Sequence, residues 1–226
     1  MAKEVMTPQE EALAQAQSQA ENFFEKNSKM VTVAIVVIFA IAIAVFGYKK
    51  YVSEPRMNKA QEMLVEAQYL IEEATPDYSL ALNGDESTPG FAEIAEQYGN
   101  TPAGNLANMY AAACALRLGD LEAAEKHINS FKNVDGIPGE VVNALAEGMK
   151  GDIAVEKGDY AKAASIFAKA AKVSTNDFTT PLFLRKAALA YSASGDEAKA
   201  QECYKTISEK FPRSLDSRDA MKQLAE

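Results

Sequence analysis

The phrases LRLGDLEAAEKHI (116–128), VEKGDYAKAASIF (155–167) and SASGDEAKAQECY (192–204) decide the fold of this chain. Each phrase holds a Gly-Asp pair between two helical patterns, and the pairs begin at Gly119, Gly158 and Gly195, 39 and 37 residues apart. We expect each Gly to end one helix in the left-handed conformation and each Asp to lie near the N-terminus of the next helix. A single helix–turn–helix unit does not bury its own apolar face. The three units are therefore predicted to stack into a curved α-solenoid.

These units resemble tetratricopeptide repeats, whose period is about 34 residues with an ordered set of large and small positions. The matching residues are Ala112, Ala115, Ala124 and Ile128 in the first unit, Gly151, Ala154, Ala163, Phe167 and Ala170 in the second, and Leu184, Ala187, Ala188, Tyr191, Ala200, Tyr204 and Pro212 in the third. The resemblance implies an all-α repeat domain over residues 91–226, with repeats around 105–136, 144–175 and 181–213.

A run of 19 residues without a charge, Met30 to Tyr48, precedes the repeats. As a helix with a rise of 1.5 Å per residue it spans roughly 28 Å, close to the hydrocarbon thickness of a bilayer. The run is longer than the apolar part of a cleaved signal peptide, and it is followed by Tyr48, Lys49 and Lys50 instead of a small-residue cleavage site. We interpret residues 30–48 as a single transmembrane signal anchor.

The remaining segments are a leader and a connection. Residues 1–29 open with Thr7, Pro8 and Glu10, a capping-box pattern that predicts a helix of about 18 residues. Residues 49–90 are predicted to contain an amphipathic helix over 54–73 and then a long loop over 74–90, where Pro, Gly, Asn and Asp are frequent.

Composition excludes several classes of function. From Tyr51 onward the chain carries 18 Lys plus Arg and 27 Asp plus Glu, a net charge of −9, and no basic stripe suits nucleic acid. The single histidine, His127, is expected on a helix surface, and Cys114 and Cys203 are expected to be small buried residues. No catalytic or metal-binding motif is present, so we predict a protein that is not an enzyme and needs no cofactor or small-molecule substrate.

The whole arrangement resembles the YfgM-like bacterial inner-membrane proteins that are ancillary to the Sec translocon. The stretches AEQYGNTPAGNLA (95–107) and NDFTTP (176–181) are similar in particular to versions found in Bacteroidota. This resemblance implies a cytoplasmic N-terminus and a periplasmic repeat domain. The positive-inside rule argues the opposite, because Lys26 and Lys29 precede the span whereas four basic residues, Lys49, Lys50, Arg56 and Lys59, follow it.

Binding of other proteins is the function that the repeats favour. In tetratricopeptide arrays the first helices of successive repeats line a concave groove that holds peptides. The equivalent positions in this chain are Leu106, Met109, Ala113, Leu116, Arg117, Leu145, Gly148, Asp152, Val155, Arg185 and Leu189. The groove formed by these residues contains both apolar and charged side chains. It lacks the Lys and Asn pattern with which some relatives bind the carboxylate of a peptide C-terminus.

Three functions agree with these features. The first is a membrane-anchored scaffold that binds translocon subunits, periplasmic chaperones or translocating polypeptides beside the Sec translocon. The second is a cytosol-facing receptor or adaptor with the same anchor. The third is an envelope assembly protein that self-associates through its repeats.

Overall fold

A computed structural model describes residues 8–225, apart from the side chains of Pro8, Glu10, Glu11 and Ala20. The predicted N-cap Thr7 and the side chain of Glu10 lie outside the described residues. No β-strand occurs within 8–225, and the one isolated bridge joins Gly84 and Pro89. The prediction of an all-α fold is confirmed.

Twelve α-helices and one π-helical turn occur in the part of the chain that the structure describes. They are α1 Pro8–Lys26, α2 Ser28–Tyr48, the π-helical turn Lys49–Ser53, α3 Glu54–Glu72, α4 Tyr78–Asn83, α5 Phe91–Tyr98, α6 Pro102–Arg117, α7 Leu121–Ser130, α8 Ile137–Glu156, α9 Tyr160–Ala170, α10 Thr179–Ala193, α11 Glu197–Lys210 and α12 Ser217–Ala225. The chain divides into two compact units, residues 1–55 and 56–226.

The first unit contains the apolar run. Helix α2 begins two residues before Met30, and none of its side chains is buried. The helical run Ser28–Glu72 is long and apolar enough to cross a membrane by length and composition, and its most apolar 18-residue window has a mean hydropathy of 2.9. A helix that is apolar on every face is compatible with a single-pass membrane span.

A π-helical turn follows α2 at Lys49–Ser53. There the backbone N–H of Glu54 donates to the carbonyl of Lys49, five residues earlier, instead of to the carbonyl four residues earlier as in an α-helix. No sequence pattern indicated this turn.

The second unit begins with an N-terminal core formed by α3 to α7 and one face of α8. It includes Leu64, Phe91, Ile94, Ala112 and Ile128, each no more than 1 % exposed. Helix α3 contributes its apolar stripe, with Ala60, Met63, Leu64 and Ala67 buried. The residues of α3 therefore belong to the same core as the first repeat, whereas the sequence placed them in a separate connection over 49–90.

Residues 74–90 are also more ordered than the long loop that their composition predicts. Helix α4 lies inside this segment and buries Ala81 and Leu82. The turn after it is closed by Asp85, whose carboxylate accepts hydrogen bonds from the backbone N–H groups of Ser87 and Thr88, both 2.8 Å long. Two buried apolar side chains between the turn residues are sufficient to fold the segment back onto the core.

Three helical hairpins follow, α6/α7, α8/α9 and α10/α11, and α12 packs on the last of them. A C-terminal core joins the second and third hairpins and includes Phe167, Phe183, Ala187, Tyr204 and Ile207. Each hairpin overlaps one of the predicted repeats, although α8 begins at Ile137, well before the predicted start of the second repeat at 144. Helix α12, which the sequence did not predict, packs on α11, and its Ala220 is fully buried.

Candidate protein-binding groove

The three hairpins share one geometry at the turn between their first and second helices. Gly119, Gly158 and Gly195 have φ angles of 77°, 75° and 86°. Each Gly donates its N–H to the carbonyl three residues earlier, and the following Asp donates its N–H to the carbonyl five residues earlier. This pair of bonds is the Schellman motif, which satisfies carbonyls at the end of a helix. The predicted left-handed glycines are confirmed.

The same Asp residues begin the second helices. Each side-chain carboxylate accepts a hydrogen bond from the backbone N–H three residues later, so each Asp is an N-cap. The bonds are Asp120 with Ala123 at 2.9 Å, Asp159 with Lys162 at 3.2 Å and Asp196 with Lys199 at 3.2 Å. One dipeptide therefore ends the first helix and starts the second in every hairpin.

Small residues let the second and third hairpins approach closely. A Cβ atom on Gly148 would lie 2.0 Å from the ring of Phe183, and one on Gly151 would lie 2.5 Å from the ring of Phe167. The two rings are stacked, with centroids 6.4 Å apart. Gly148, predicted in the groove, is therefore buried at a helix contact.

Five of the predicted groove residues lie together. Ala113, Leu116, Arg117, Asp152 and Val155 line one open depression of about 630 Å³ on the first helices α6, α8 and α10. Its other lining residues are Gly119, Met149, Glu156 and Lys186. The walls combine apolar side chains with two cationic and two anionic groups.

The other predicted groove residues lie elsewhere. Leu106 and Met109 are half-buried against the N-terminal core, and Leu145 is half-buried against the C-terminal core. Arg185 donates from Nε to Oδ1 of Asp216 at 2.6 Å. These side chains therefore pack against a core or pair with a neighbouring residue and do not line the depression.

Four residues of the depression were not predicted, namely Gly119, Met149, Glu156 and Lys186, and Lys186 makes the most contacts described for this site. Its Nζ donates to both carboxylate oxygens of Asp152, at 2.7 and 2.9 Å, and thereby joins α10 to α8. The ammonium also lies 5.4 Å from the ring centroid of Phe167. Lys186 lies nine residues before its turn glycine, the position that Met149, also not predicted, holds in the preceding repeat.

A second, smaller cleft adjoins the depression and shares Asp152, Val155 and Lys186 with it. It has a volume of about 240 Å³ between α8, α9 and α10. Its remaining lining residues are Tyr160, Phe167, Leu189, Ala190 and Ala193. The predicted groove residue Leu189, 51 % exposed, lies here.

Comparison with known families gives one match. Residues 21–133 match the family described as "Tetratricopeptide repeat-like domain", which is half of the chain. The chain belongs to the tetratricopeptide repeat-like domain family. The match runs from α1 through the first hairpin, and the two later hairpins lie beyond it. Comparison with curated proteins and with solved structures finds no significant match.

Repeat-like domains of this kind are generally protein-interaction modules without catalytic activity. Within residues 8–225 of this family member, no group of three or more His, Cys, Asp or Glu side chains is placed to hold a metal ion. The open depression on α6, α8 and α10 is the candidate protein-binding site.

The single histidine lies in a separate polar depression of the repeat-like domain. His127 is half-buried, in contrast to the expected surface position, and its Nδ1 is 3.4 Å from Oδ1 of Asn108. Burial, and then the charge of Lys126, lower the pKa of His127 below its ordinary value. A neutral imidazole next to an amide suits a structural contact.

Both cysteines of the repeat-like domain are free and buried, as the sequence predicts. Burial raises the pKa of Cys114 and of Cys203 to about 11 in each case. Because the thiolate is the reactive form, the raised pKa and the burial make both thiols poor nucleophiles at neutral pH.

Proposed function

We propose that this protein is a membrane-anchored scaffold whose repeat-like domain binds partner proteins or translocating polypeptides beside the Sec translocon. The N-terminus lies in the cytoplasm and the repeat domain in the periplasm of a bacterial inner membrane. The partners are translocon subunits, periplasmic chaperones or the polypeptides in transit. The observation that carries the proposal is the open depression on α6, α8 and α10, which lies in a repeat-like domain of a chain that also has an apolar helix.

The apolar helix α2 supports the anchor. Its exposed side chains include Val33, Ile38, Phe39, Ile43 and Phe46, each at least 62 % exposed. Exposure of so much apolar surface to water is unfavourable, whereas the hydrocarbon region of a bilayer accommodates it. An anchor would also raise the effective concentration of the groove near membrane partners, so modest affinity for each partner suffices.

The shape and composition of the depression support protein binding. An open volume of about 630 Å³ along three helices suits a segment of polypeptide, because enclosed and mostly apolar cavities are more typical of small ligands. Its mixture of Leu116, Met149 and Val155 with charged side chains also resembles the composition of transient protein interfaces.

Photo-crosslinking in intact membranes tests this function. A photoreactive amino acid placed at Arg117, exposed in the depression, is expected to crosslink to translocon subunits, periplasmic chaperones or polypeptides in transit. The matched control is the same amino acid at Ala198, exposed on α11 and outside the depression. Recovery of none of these partners from position 117, or equal recovery from both positions, would contradict the proposal.

A second function is favoured by one observation. The basic residues that flank the span are more numerous on its C-terminal side, which argues for a repeat domain in the cytoplasm. In that case the protein is a cytosol-facing receptor or adaptor that uses the same groove. We favour the periplasmic orientation because large domains cross membranes largely independently of a difference of two charges.

A further inference from the structure

The small cleft between α8, α9 and α10 differs from the equivalent junction one repeat earlier. Its α10 wall is formed by Leu189, Ala190 and Ala193, which lie six, five and two residues before the turn glycine Gly195. The same positions of α8, counted from Gly158, hold Asp152, Ile153 and Glu156. The α10 wall of the second junction is therefore apolar, whereas the α8 wall of the first junction carries two carboxylates, Asp152 and Glu156, both of which line the larger depression.

The cleft has one cationic and one anionic side chain, so its net charge is zero. Lys186 and Asp152 pair with each other at its mouth, and the ammonium also faces the ring of Phe167. In the adjoining depression, Arg117 and Glu156 add one charge of each sign. Because these charges balance locally, the cleft offers no unpaired charge to a charged segment, and apolar contact is the main attraction that it provides.

The size of the cleft limits the occupant to one side chain. Its volume of about 240 Å³ is below the roughly 300–1,000 Å³ that small-molecule pockets usually have. It is continuous with the depression through Asp152, Val155 and Lys186. A chain that lies in the depression can therefore place one of its side chains into the cleft.

We propose that this cleft is a specificity pocket for one large uncharged apolar side chain, Leu or Phe in type, from an extended segment of a partner polypeptide. The pocket lies between Val155 and Tyr160 on one side and Leu189 and Ala193 on the other. This inference rests on the proposed protein-binding function and adds the chemical class of the segment that is bound.

The test uses the full chain in phosphatidylcholine nanodiscs and four fluorescein-labelled peptides. The peptides have 11 residues, share a Ser/Asn/Gln background with one flanking Val, and differ only at the central residue: Leu, Ala, Lys or Glu. Fluorescence anisotropy titrations give the Kd of each. Full burial of the central side chain predicts that the Leu peptide binds about tenfold more tightly than the Ala peptide, and the Lys and Glu peptides no better than Ala.

Two variants assign that preference to the cleft. Ala193→Glu introduces into the cleft the residue that the preceding repeat has at the same position, and it is expected to abolish the preference for Leu. Ala193 is exposed at the end of α10, so the variant keeps its fold. Ala198→Glu adds the same charge on α11 outside the cleft and is expected to keep the preference.

Each outcome has one meaning for the pocket. A preference for Leu that Ala193→Glu removes and Ala198→Glu keeps supports it. Equal binding of the Leu and Ala peptides, or a preference that survives Ala193→Glu, overturns the pocket and leaves groove binding intact. If none of the four peptides binds and position 117 gives no crosslinks in membranes, the proposed function fails together with the pocket.

Discussion

At the scale of single residues, glycine has two different roles in this chain. Gly158 has a φ of 75°, and a Cβ atom added to it would have open space within 4 Å, so a side chain there meets only conformational strain. Gly148 lies inside α8, where a Cβ atom would meet the buried ring of Phe183 at 2.0 Å. The first glycine sets a turn, and the second permits contact between two helices.

Alanine substitutions separate these roles. Gly158→Ala is expected to lower the free energy of unfolding by about 1 kcal/mol, because L-residues are disfavoured in the left-handed region. Gly148→Ala is expected to lower it by about 2 kcal/mol or more, because Phe183 must leave its packed position. Urea unfolding of the full chain in micelles, followed by circular dichroism, measures both. The exposed Ser165→Ala serves as the control, and equal effects of all three variants would contradict these two roles.

Glu147 is a half-buried carboxylate at a position where repeats usually have a large apolar residue. Burial raises its pKa, but hydrogen bonds from Lys169 at 2.8 Å and from Lys150 at 3.3 Å, with the charges of both lysines, outweigh burial and leave the pKa below its ordinary value. A pKa lowered by folding means that the ionised form stabilises the fold. This contribution is present above the ordinary Glu pKa of 4.5 and is lost as the pH falls through the lower folded-state value.

Replacement of Glu147 tests this pH dependence. Glu147→Gln is expected to lower the free energy of unfolding by about 0.5–1 kcal/mol at pH 7, and the difference from the wild type is expected to shrink as the pH falls below 4.5. Urea titrations at a series of pH values measure the difference. Glu125→Gln, which removes a more exposed pair with Lys157, is the control with the smaller effect. A difference that grows on acidification would mean that the ionised form of Glu147 destabilises the fold, contrary to this expectation.

Sequence reasoning was accurate for residues whose role depends on their own backbone. Gly119, Gly158, Gly195 and the Asp residues after them behave as their dipeptide predicts, because turn geometry is a local property. Lys186 was missed because its partner, Asp152, lies 34 residues away on another helix. The residue spacing within one repeat does not predict an ion pair between two repeats.

At the scale of elements, the predicted helices agree with the structure where apolar residues recur at helical intervals. The predicted amphipathic helix over 54–73 corresponds to α3, Glu54–Glu72. Helix α4 was missed because only six residues form it and turn residues surround it. Burial of Leu82 and Ala81 against the N-terminal core stabilises this helix. The composition of the segment does not predict that tertiary contact.

Helix α12 is expected to protect the end of the repeat-like domain. Ala220 is fully buried and faces α11, so Ala220→Asp would place an unpaired carboxylate in the contact and detach the helix. Limited digestion with trypsin should then cleave after Arg218 at least about tenfold faster than in the wild type, since a loss of 1.4 kcal/mol in local stability increases the open population tenfold. Met221→Asp, at an exposed neighbour, is the control. Equal cleavage of the two variants would show that α12 is not held through Ala220.

At the scale of the whole molecule, charge is distributed unevenly along the chain. Residues 1–50 carry five Lys and five Glu, so the net charge of −9 belongs entirely to residues 51–226. An acidic domain of this kind gains little from an anionic lipid surface. In the proposed function, attachment to a membrane therefore depends on α2, and the side of the membrane on which the repeat-like domain lies decides which partners are available to it.

Thiol labelling in spheroplasts measures that orientation directly. Cys114 and Cys203 are buried with their pKa raised to about 11, so a membrane-impermeant maleimide at pH 7 reacts only with introduced cysteines. We expect Ala198→Cys, exposed on α11, to be labelled in intact spheroplasts, and Ser18→Cys, exposed on α1, to be labelled only after permeabilisation. The reverse pattern would place the repeat-like domain in the cytoplasm, in agreement with the flanking lysines. Labelling of both cysteines in intact spheroplasts would mean that α2 does not cross the membrane.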